Sequence, residues 1–338
     1  MPLSQLILKN FRSFSSKELR FYPDFNFILG CNGAGKSSVL EAVYYTCYAS
    51  SFRSANKEDM IKDGEQAFFI QATTESENEI SIGASAEEKV LKINGRATTS
   101  HKEVASIIRA IILQQKDINL ICGYNEDKKL FLKQLLYLQS DDANKQYAKL
   151  NKILIQRKTL LEQQKTSSSE FQIWTEKLIE TSQEITQAQK IALEKLTTIA
   201  KEIVSTFAPQ IILEIKFEEN KYHNLEQLRS TLEKERILEK NLIGANQNCF
   251  EIKFKNKDAK NFSSRGEQKV IVFILKTAML EATSIKIGAR KVFLIDDFFS
   301  ELDPQNLKTC LDILKKINAQ KLIATPTQDL EIKIQENL

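Results

Sequence analysis

A chain of 338 residues, 42% hydrophobic and 27% charged, has material for a sizeable core and for more than one domain. Its net charge of +4 leaves any nucleic-acid surface to a local patch rather than to a global field. Cys31, Cys47, Cys122, Cys249 and Cys310 form no C-x-x-C pair, and His101 and His223 are the only histidines. This argues against a zinc site, a disulfide framework and histidine-based catalysis, and fits a reducing cytoplasm.

Residues 1–9 alternate apolar and polar positions as a strand does, and lack the basic-then-apolar pattern of a signal peptide. No stretch has the apolar length of a membrane span. Phe25-Asn26-Phe27-Ile28-Leu29 reads as a short buried strand, and Ser38-Val39-Leu40-Glu41-Ala42-Val43 has helical spacing. Between them Gly30-Cys31-Asn32-Gly33-Ala34-Gly35-Lys36-Ser37 is a complete phosphate-binding loop, G-x-x-x-x-G-K-[ST]. Gly30, Asn32, Gly33, Gly35 and Ser38 are expected around the phosphates. Lys36 would reach the β- and γ-phosphates, and the Ser37 hydroxyl would take one Mg²⁺ position. Arg53 and Lys57, after this helix, are candidates for approaching a nucleic acid. Gln114 and Gln115 follow the apolar strand Ala110-Ile111-Ile112-Leu113, and the spacing leaves open which of them senses Mg²⁺ or water.

Residues 126–208 read as mostly helix. Tyr147, Leu150, Leu154 and Leu161 form one apolar stripe. Trp174, Leu178, Ile185, Ala188, Ala192, Ile199 and Ile203 form another, with a loop at 166–169 between them. From 128 to 165 nine Lys or Arg stand against three acids, a local net of +6. Lys128, Lys129, Lys149, Lys152 and Arg157 in this segment suit phosphate-backbone contact, either as a binding surface or as an ordinary solvated face.

Ser263-Ser264-Arg265-Gly266-Glu267 precedes a strongly apolar helix over roughly 268–282, and Ser264 and Gly266 at its start make a second anion site. Lys291-Val292-Phe293-Leu294-Ile295 is a buried parallel strand ending in two carboxylates. Asp296 fits the Mg²⁺-holding acid of phosphate-loop ATPases, and Asp297 the group that orients or deprotonates the attacking water. Asp303-Pro304 reads as the capped start of a helix over 303–317. Two anion sites in one chain need two nucleotides or a partner. The economical geometry is a dimer in which the Ser264 loop caps the γ-phosphate held by the other subunit's Lys36.

The chain resembles the RecF family of DNA repair ATPases, related to the ABC-type heads of SMC proteins. The resemblance rests on Leu8-Lys9-Asn10-Phe11-Arg12-Ser13-Phe14, the loop 30–37 with Leu40-Glu41-Ala42, and Ser51-Phe52-Arg53. It continues through Tyr147, Gln156-Arg157-Lys158, Trp174, Ser264-Arg265-Gly266, and Leu294-Ile295-Asp296-Asp297 through Asp303. It implies an α/β fold, an ABC-type ATPase head with an inserted α-helical arm. The head would comprise 1–125 and 209–338, and the arm 126–208. It also implies ATP and Mg²⁺ as ligands, slow DNA-stimulated hydrolysis, ATP-dependent homodimerisation on double-stranded or gapped DNA, and a role in loading recombinase in the cytoplasm. RecR and RecO are the pathway partners. Three departures bear on this: Glu267 where the family carries glutamine, Gly244-Ala245-Asn246-Gln247 in place of G-P-H-R, and Lys128-Lys129 in place of two arginines.

Overall fold

The computed structural model describes residues 2–140, 142–220, 225–285 and 289–325. His223 and the last 13 residues lie outside this range. The chain divides into two compact units, residues 1–117 with 285–338, and residues 118–284.

Among its described residues the first unit holds two sheets, a central helix, and the helices His101–Ala105 and Pro304–Lys316. Its six-stranded antiparallel sheet has the spatial order Phe14–Arg20, Leu3–Phe11, Ala67–Thr74, Glu79–Ser85, Lys89–Ile93, Arg96–Thr98. Its four-stranded parallel sheet runs Phe25–Leu29, Gln320–Thr325, Arg290–Asp296, Ile108–Gln114. The inner strands of the parallel sheet are continuous apolar runs because both of their faces are covered. Val292 to Ile295 are fully buried, and even Gln320 and Lys321 are buried. Gln320 is tolerated there because its amide bonds the backbone of Leu3 at both N–H and C=O. Lys321 reaches out to Asp24 at 2.6 Å.

The helix Lys36–Tyr48 packs against both sheets. Val39, Leu40 and Val43 join Leu6, Leu8, Ile70 and Ile82 of one sheet and Leu294 and Leu322 of the other in one core. Parallel pairing fixes what meets at one edge. Asp296 stands opposite Gln114 on one side and Ala324 on the other, and Thr325 stands opposite Leu29. The phosphate loop, the two carboxylates and the two glutamines therefore all leave from carboxyl ends of strands of one parallel sheet, where ligands bind in open α/β sheets.

The second unit is mainly helical: Asn125–Gln139, Ala143–Glu162, Ser169–Phe207, Leu225–Leu238 and Arg265–Ala282, with a three-stranded antiparallel sheet, Leu213–Glu218, Cys249–Phe254 and Lys257–Asp258. The 39-residue helix Ser169–Phe207 packs on Asn125–Gln139, Ala143–Glu162 and Arg265–Ala282. Ser168 caps its start, its hydroxyl accepting from the Phe171 N–H at 3.1 Å.

This division differs from the expected three segments. The helix after Ser264 falls in the same unit as the helices of 126–208, because its apolar faces are buried against the 169–207 helix. It does not group with the strand that carries Asp296. The second apolar stripe is also rotated from the expected one. Phe171, Leu178, Ile185, Ala192, Leu193, Leu196 and Ala200 are buried, while Trp174, Ala188, Ile199 and Ile203 flank them.

Candidate functional site

The site in the first unit is assembled around the N-terminus of Lys36–Tyr48. Gly35 occupies its N-cap position with φ 87°, a left-handed conformation that costs other residues about 1–2 kcal/mol. A Cβ at Gly35 would also lie 2.5 Å from the Phe14 ring. This helix has no side-chain cap and no acid in its first turn. Its first N–H groups and the positive end of its dipole are therefore open to an anion. The Lys36 ammonium is held over the loop, donating to Gly30 C=O at 2.7 Å and Cys31 C=O at 3.0 Å.

Ser37 and Asp296 lie 259 residues apart in sequence, and the Ser37 hydroxyl donates to Asp296 Oδ1 at 2.8 Å. These are two hard oxygen donors, half-buried, beside a phosphate loop. Mg²⁺ takes such a donor set, one or two protein oxygens completed by water and substrate phosphate. The residues thus fit the ion. Among the described residues there is no group of three or more His, Cys, Asp or Glu that holds a metal by itself.

Asp297 follows at φ 48°, turned off the strand direction, with its N–H donating to Ala324 C=O at 3.1 Å. Of the two glutamines, Gln115 is the one whose side chain reaches Asp297. The Gln115 amide donates to Asp297 C=O at 3.0 Å, to Asp297 Oδ2 at 3.3 Å and to Ser300 Oγ at 3.3 Å. Gln114 has its N–H tied to the Asp117 carboxylate at 2.7 Å. Asp303 caps Pro304–Lys316 as its sequence predicts, accepting from the N–H groups of Asn306 and Gln305. The Asn306 N–H, the Asn306 amide and the Gln305 N–H hold its carboxyl below the usual range.

Glu41, in sequence one residue of the Leu40-Glu41-Ala42 segment, organises one side of the site. It is fully buried. Arg12 grips it with two bonds, 2.9 and 2.6 Å. Ser51 donates to it, and Arg53 lies 3.4 Å from both Glu41 and the Ser38 hydroxyl. The signal was available: a carboxylate inside an apolar helical run needs charged partners. Arg53 is therefore anchored beside the phosphate-loop helix, with its side chain 42% exposed, and Lys57 is half-buried nearby in sequence.

The helical unit carries the other candidates. Ser264 is the N-cap of Arg265–Ala282, which begins three residues earlier than expected. Its hydroxyl accepts from the Glu267 N–H at 3.2 Å, and its own N–H donates to the Glu267 carboxylate at 2.7 Å. This is a closed capping box. Glu267 is thus engaged with Ser264 itself, and Gly266 lies within the first turn. Lys149 and Lys152 are exposed. Lys128 is half-buried, and Lys129 is engaged by Glu126 at 3.1 Å and by Gln247 at 2.8 Å, so one altered segment holds the other.

Arg157 is not a surface residue. It is fully buried, paired with Glu235 at 2.8 Å, bonded to Asn241 at 2.7 Å and Thr175 at 3.2 Å, and stacked on Phe171 at 4.7 Å. Glu235 in turn accepts from the N–H groups of Leu242 and Ile243. The expectation that Arg157 contacts DNA is overturned. A buried guanidinium is retained only when its charge and donors find partners, and here Glu235, Asn241 and Thr175 supply four hydrogen bonds to its five N–H groups.

The sequence profile of the RecF/RecN/SMC N terminal domain family matches residues 2–338. The chain belongs to that family. The DNA replication and repair protein RecF of Vibrio parahaemolyticus is 27% identical over 344 residues, with 97% of this chain and 94% of the relative covered. RecF of Haemophilus ducreyi is 28% identical, with 97% and 93% covered. Among solved structures, the recombination mediator protein RecF-ATPrS in the RecFOR pathway superposes with a TM-score of 0.83 at 25% identity, covering 97% of this chain and 93% of that one. An Smc head bound to the C-winged helix domain of ScpA gives a TM-score of 0.59 at 17% identity, a likeness of fold alone. The fold is thus the ABC-type ATPase head of RecF and SMC proteins, as the resemblance implied. No described helix is long and apolar enough to cross a membrane.

Proposed function

We propose that this family member is a Mg²⁺-dependent ATPase of recombinational DNA repair that closes into a homodimer on ATP and holds DNA while closed. The observation that carries the reading is the 2.8 Å bond between Ser37 and Asp296, which joins the phosphate loop to the acid at the strand end. The RecF structures with ATP and its analogue support ATP as the ligand.

The geometry supports the following roles for the residues of the phosphate-loop site, and the family resemblance the rest. The open end of Lys36–Tyr48 receives the phosphates through backbone N–H groups, and Lys36 exchanges its two carbonyl acceptors for phosphate oxygens. Ser37 and Asp296 would hold Mg²⁺, which would supply neutralisation of phosphate charge. Asp297, held by Gln115, accepts a proton from the attacking water, and Gln115 fixes its orientation. Ser264 and Gly266 of a second copy cover the γ-phosphate, so ATP acts as a shared ligand whose cleavage favours separation. Lys149 and Lys152, with Arg53, Lys57, Lys128 and Lys129, contribute backbone charge that is independent of sequence. The helical unit acts as arm and DNA surface. RecR and RecO are the expected pathway partners, recombinase loading at gaps the process, and the cytoplasm the compartment.

The test is the molecular mass in solution with ATP, ADP or no nucleotide, each with and without gapped DNA. Dimer is expected with ATP only, and monomer under every condition overturns the cross-subunit mechanism. Asp297→Asn is expected to retain ATP binding and lower turnover by about 10²- to 10⁴-fold, the range of general-base catalysis. Unchanged phosphate release assigns the base elsewhere.

A further inference from the structure

Among the described residues, the helical unit carries two exposed aromatic rings that neither the ATP site nor the core uses. Tyr124 is 85% exposed and Phe262 is 56% exposed. Tyr124 stands at the N-cap position of Asn125–Gln139, where its side chain makes no capping bond. Phe262 ends the short helix Ala259–Phe262, which is anchored by buried Ala259 rather than by the ring.

One residue links their neighbourhoods. Gln268 is buried, accepts from the Cys122 thiol at 3.0 Å, and donates to Ser263 C=O at 3.1 Å and Lys260 C=O at 3.2 Å. The helix Asn119–Cys122, just before Tyr124, also packs on Ala259–Phe262.

The surface around Phe262 is cationic, whereas Tyr124 is followed by Glu126 and Asp127 and then by Lys128 and Lys129. Lys257 lies over the Phe262 ring at 4.6 Å and Lys255 over Phe254 at 4.8 Å, and Lys260, between Lys257 and Phe262 in sequence, is exposed. Asp258 is the one acid in this stretch. Its carboxylate is occupied by the Lys260 N–H at 3.0 Å and the Asn261 amide at 3.1 Å.

Exposed rings on a cationic surface match a polyanion that offers flat apolar faces. A duplex hides its base faces within the stack, whereas a single strand exposes them. We propose that Tyr124 and Phe262 stack bases of a single-stranded nucleic-acid segment whose phosphates lie on Lys255, Lys257 and Lys260. The inference rests on the DNA-binding reading and deepens it. The lysines of the helical arm take duplex backbone, and this face takes the unpaired strand, so the chain distinguishes a gap from continuous duplex without reading sequence.

The test is fluorescence anisotropy of a labelled oligo-dT and of a labelled duplex of equal length, without nucleotide, so that ATP-dependent closure plays no part. Tyr124→Ala and Phe262→Ala are each expected to weaken oligo-dT binding roughly tenfold, the lower part of the range for one stacked base. Duplex binding is expected to change by less than about twofold, and Phe262→Tyr to keep the parental affinity because it keeps the ring. Equal losses on both probes reduce the face to a charge patch and overturn the proposal. So does unchanged oligo-dT binding, or ATP-dependent dimerisation lost in Phe262→Ala, which makes the face a protein contact. If Phe262→Ala fails to fold, Tyr124→Ala carries the test on a side chain almost wholly in solvent. A parent that binds neither probe removes the DNA reading itself. A parent that binds duplex with the variants unaffected on oligo-dT removes only this proposal.

Discussion

Two helix N-termini in this molecule are built from similar residues and left in opposite states. At Lys36–Tyr48 the cap is a left-handed glycine, no acid occupies the first turn, and a lysine stands over the opening. At Arg265–Ala282 the cap is a serine closed on Glu267 by two reciprocal bonds. The first end leaves its N–H groups for a ligand. The second satisfies two of them internally and adds a negative charge. Glycine followed by a cation thus builds an anion site in advance, whereas a serine with a carboxylate three residues on builds a stable helix start first. Anion binding there requires that start to reopen.

The contrast breaks most sharply outside both ends, at the guanidinium that charge counting put on the DNA surface. Arg157→Met leaves Glu235 buried without its cation and is expected to cost about 3–5 kcal/mol, read as a fall in denaturation midpoint. A surface role for Arg157 predicts an unchanged midpoint and a lower salt slope of DNA binding.

Next in size is the open end itself. Lys36→Ala is expected to weaken ATP binding by the worth of one charge-assisted hydrogen bond, about 1.5–3 kcal/mol or 10- to 150-fold, measured by calorimetry on the monomer. Ser264→Ala is expected to leave that monomer affinity unchanged. An equal loss in both variants means that the two ends act within one chain.

Glu267→Gln sharpens the comparison at the closed end, because glutamine keeps a capping partner and drops the charge. ATP-dependent dimer formation is expected to tighten about fivefold, the ~1 kcal/mol of two like charges about 4 Å apart in water. The fold is expected to lose about 0.3–1 kcal/mol of favourable dipole interaction. A weaker dimer means that the carboxylate itself contributes to closure.

The smallest effect concerns a third helix start, with a simple acid cap. Asp303→Ala is expected to cost about 1 kcal/mol of stability at neutral pH. Its carboxyl is held below the ordinary carboxylate value by the Asn306 and Gln305 N–H groups. Its contribution is therefore complete above that ordinary value and is lost as pH falls through the lowered folded one. Parent and variant melting curves are expected to converge in that acid window. A constant gap across it assigns the cap no titrating role.

Residues whose task is set by neighbours in sequence were legible. The glycines, Lys36 and Ser37 act through one loop and one helix start, and the Asp303-Pro304 cap is a four-residue matter. An apolar run ending in Asp296-Asp297 marks a parallel strand and its ligand-facing end. Arg157 was misread because a run of cations reports net charge and not the side of the helix each cation occupies. It sits among Ile153, Leu160 and Leu161 on the buried side of its helix, while Lys149 and Lys152 point to solvent. Gln114 and Gln115 were indistinguishable because the strand ends between them and the next turn begins, and only that turn directs an amide to Asp297. The grouping of Arg265–Ala282 with the arm helices depended on which apolar faces meet, and a periodic pattern does not name its partner.

By itself the sequence determined the phosphate loop, the strand that delivers two carboxylates, and the presence of long amphipathic helices, because each follows from local backbone preference and from the period of apolar residues. Only the tertiary structure decided that Ser37 and Asp296 touch, that Gln115 serves Asp297, that Glu41 collects two arginines, and that Arg157 belongs to the core. These are choices of partner between distant segments, fixed by strand order and by the need to satisfy every buried charge.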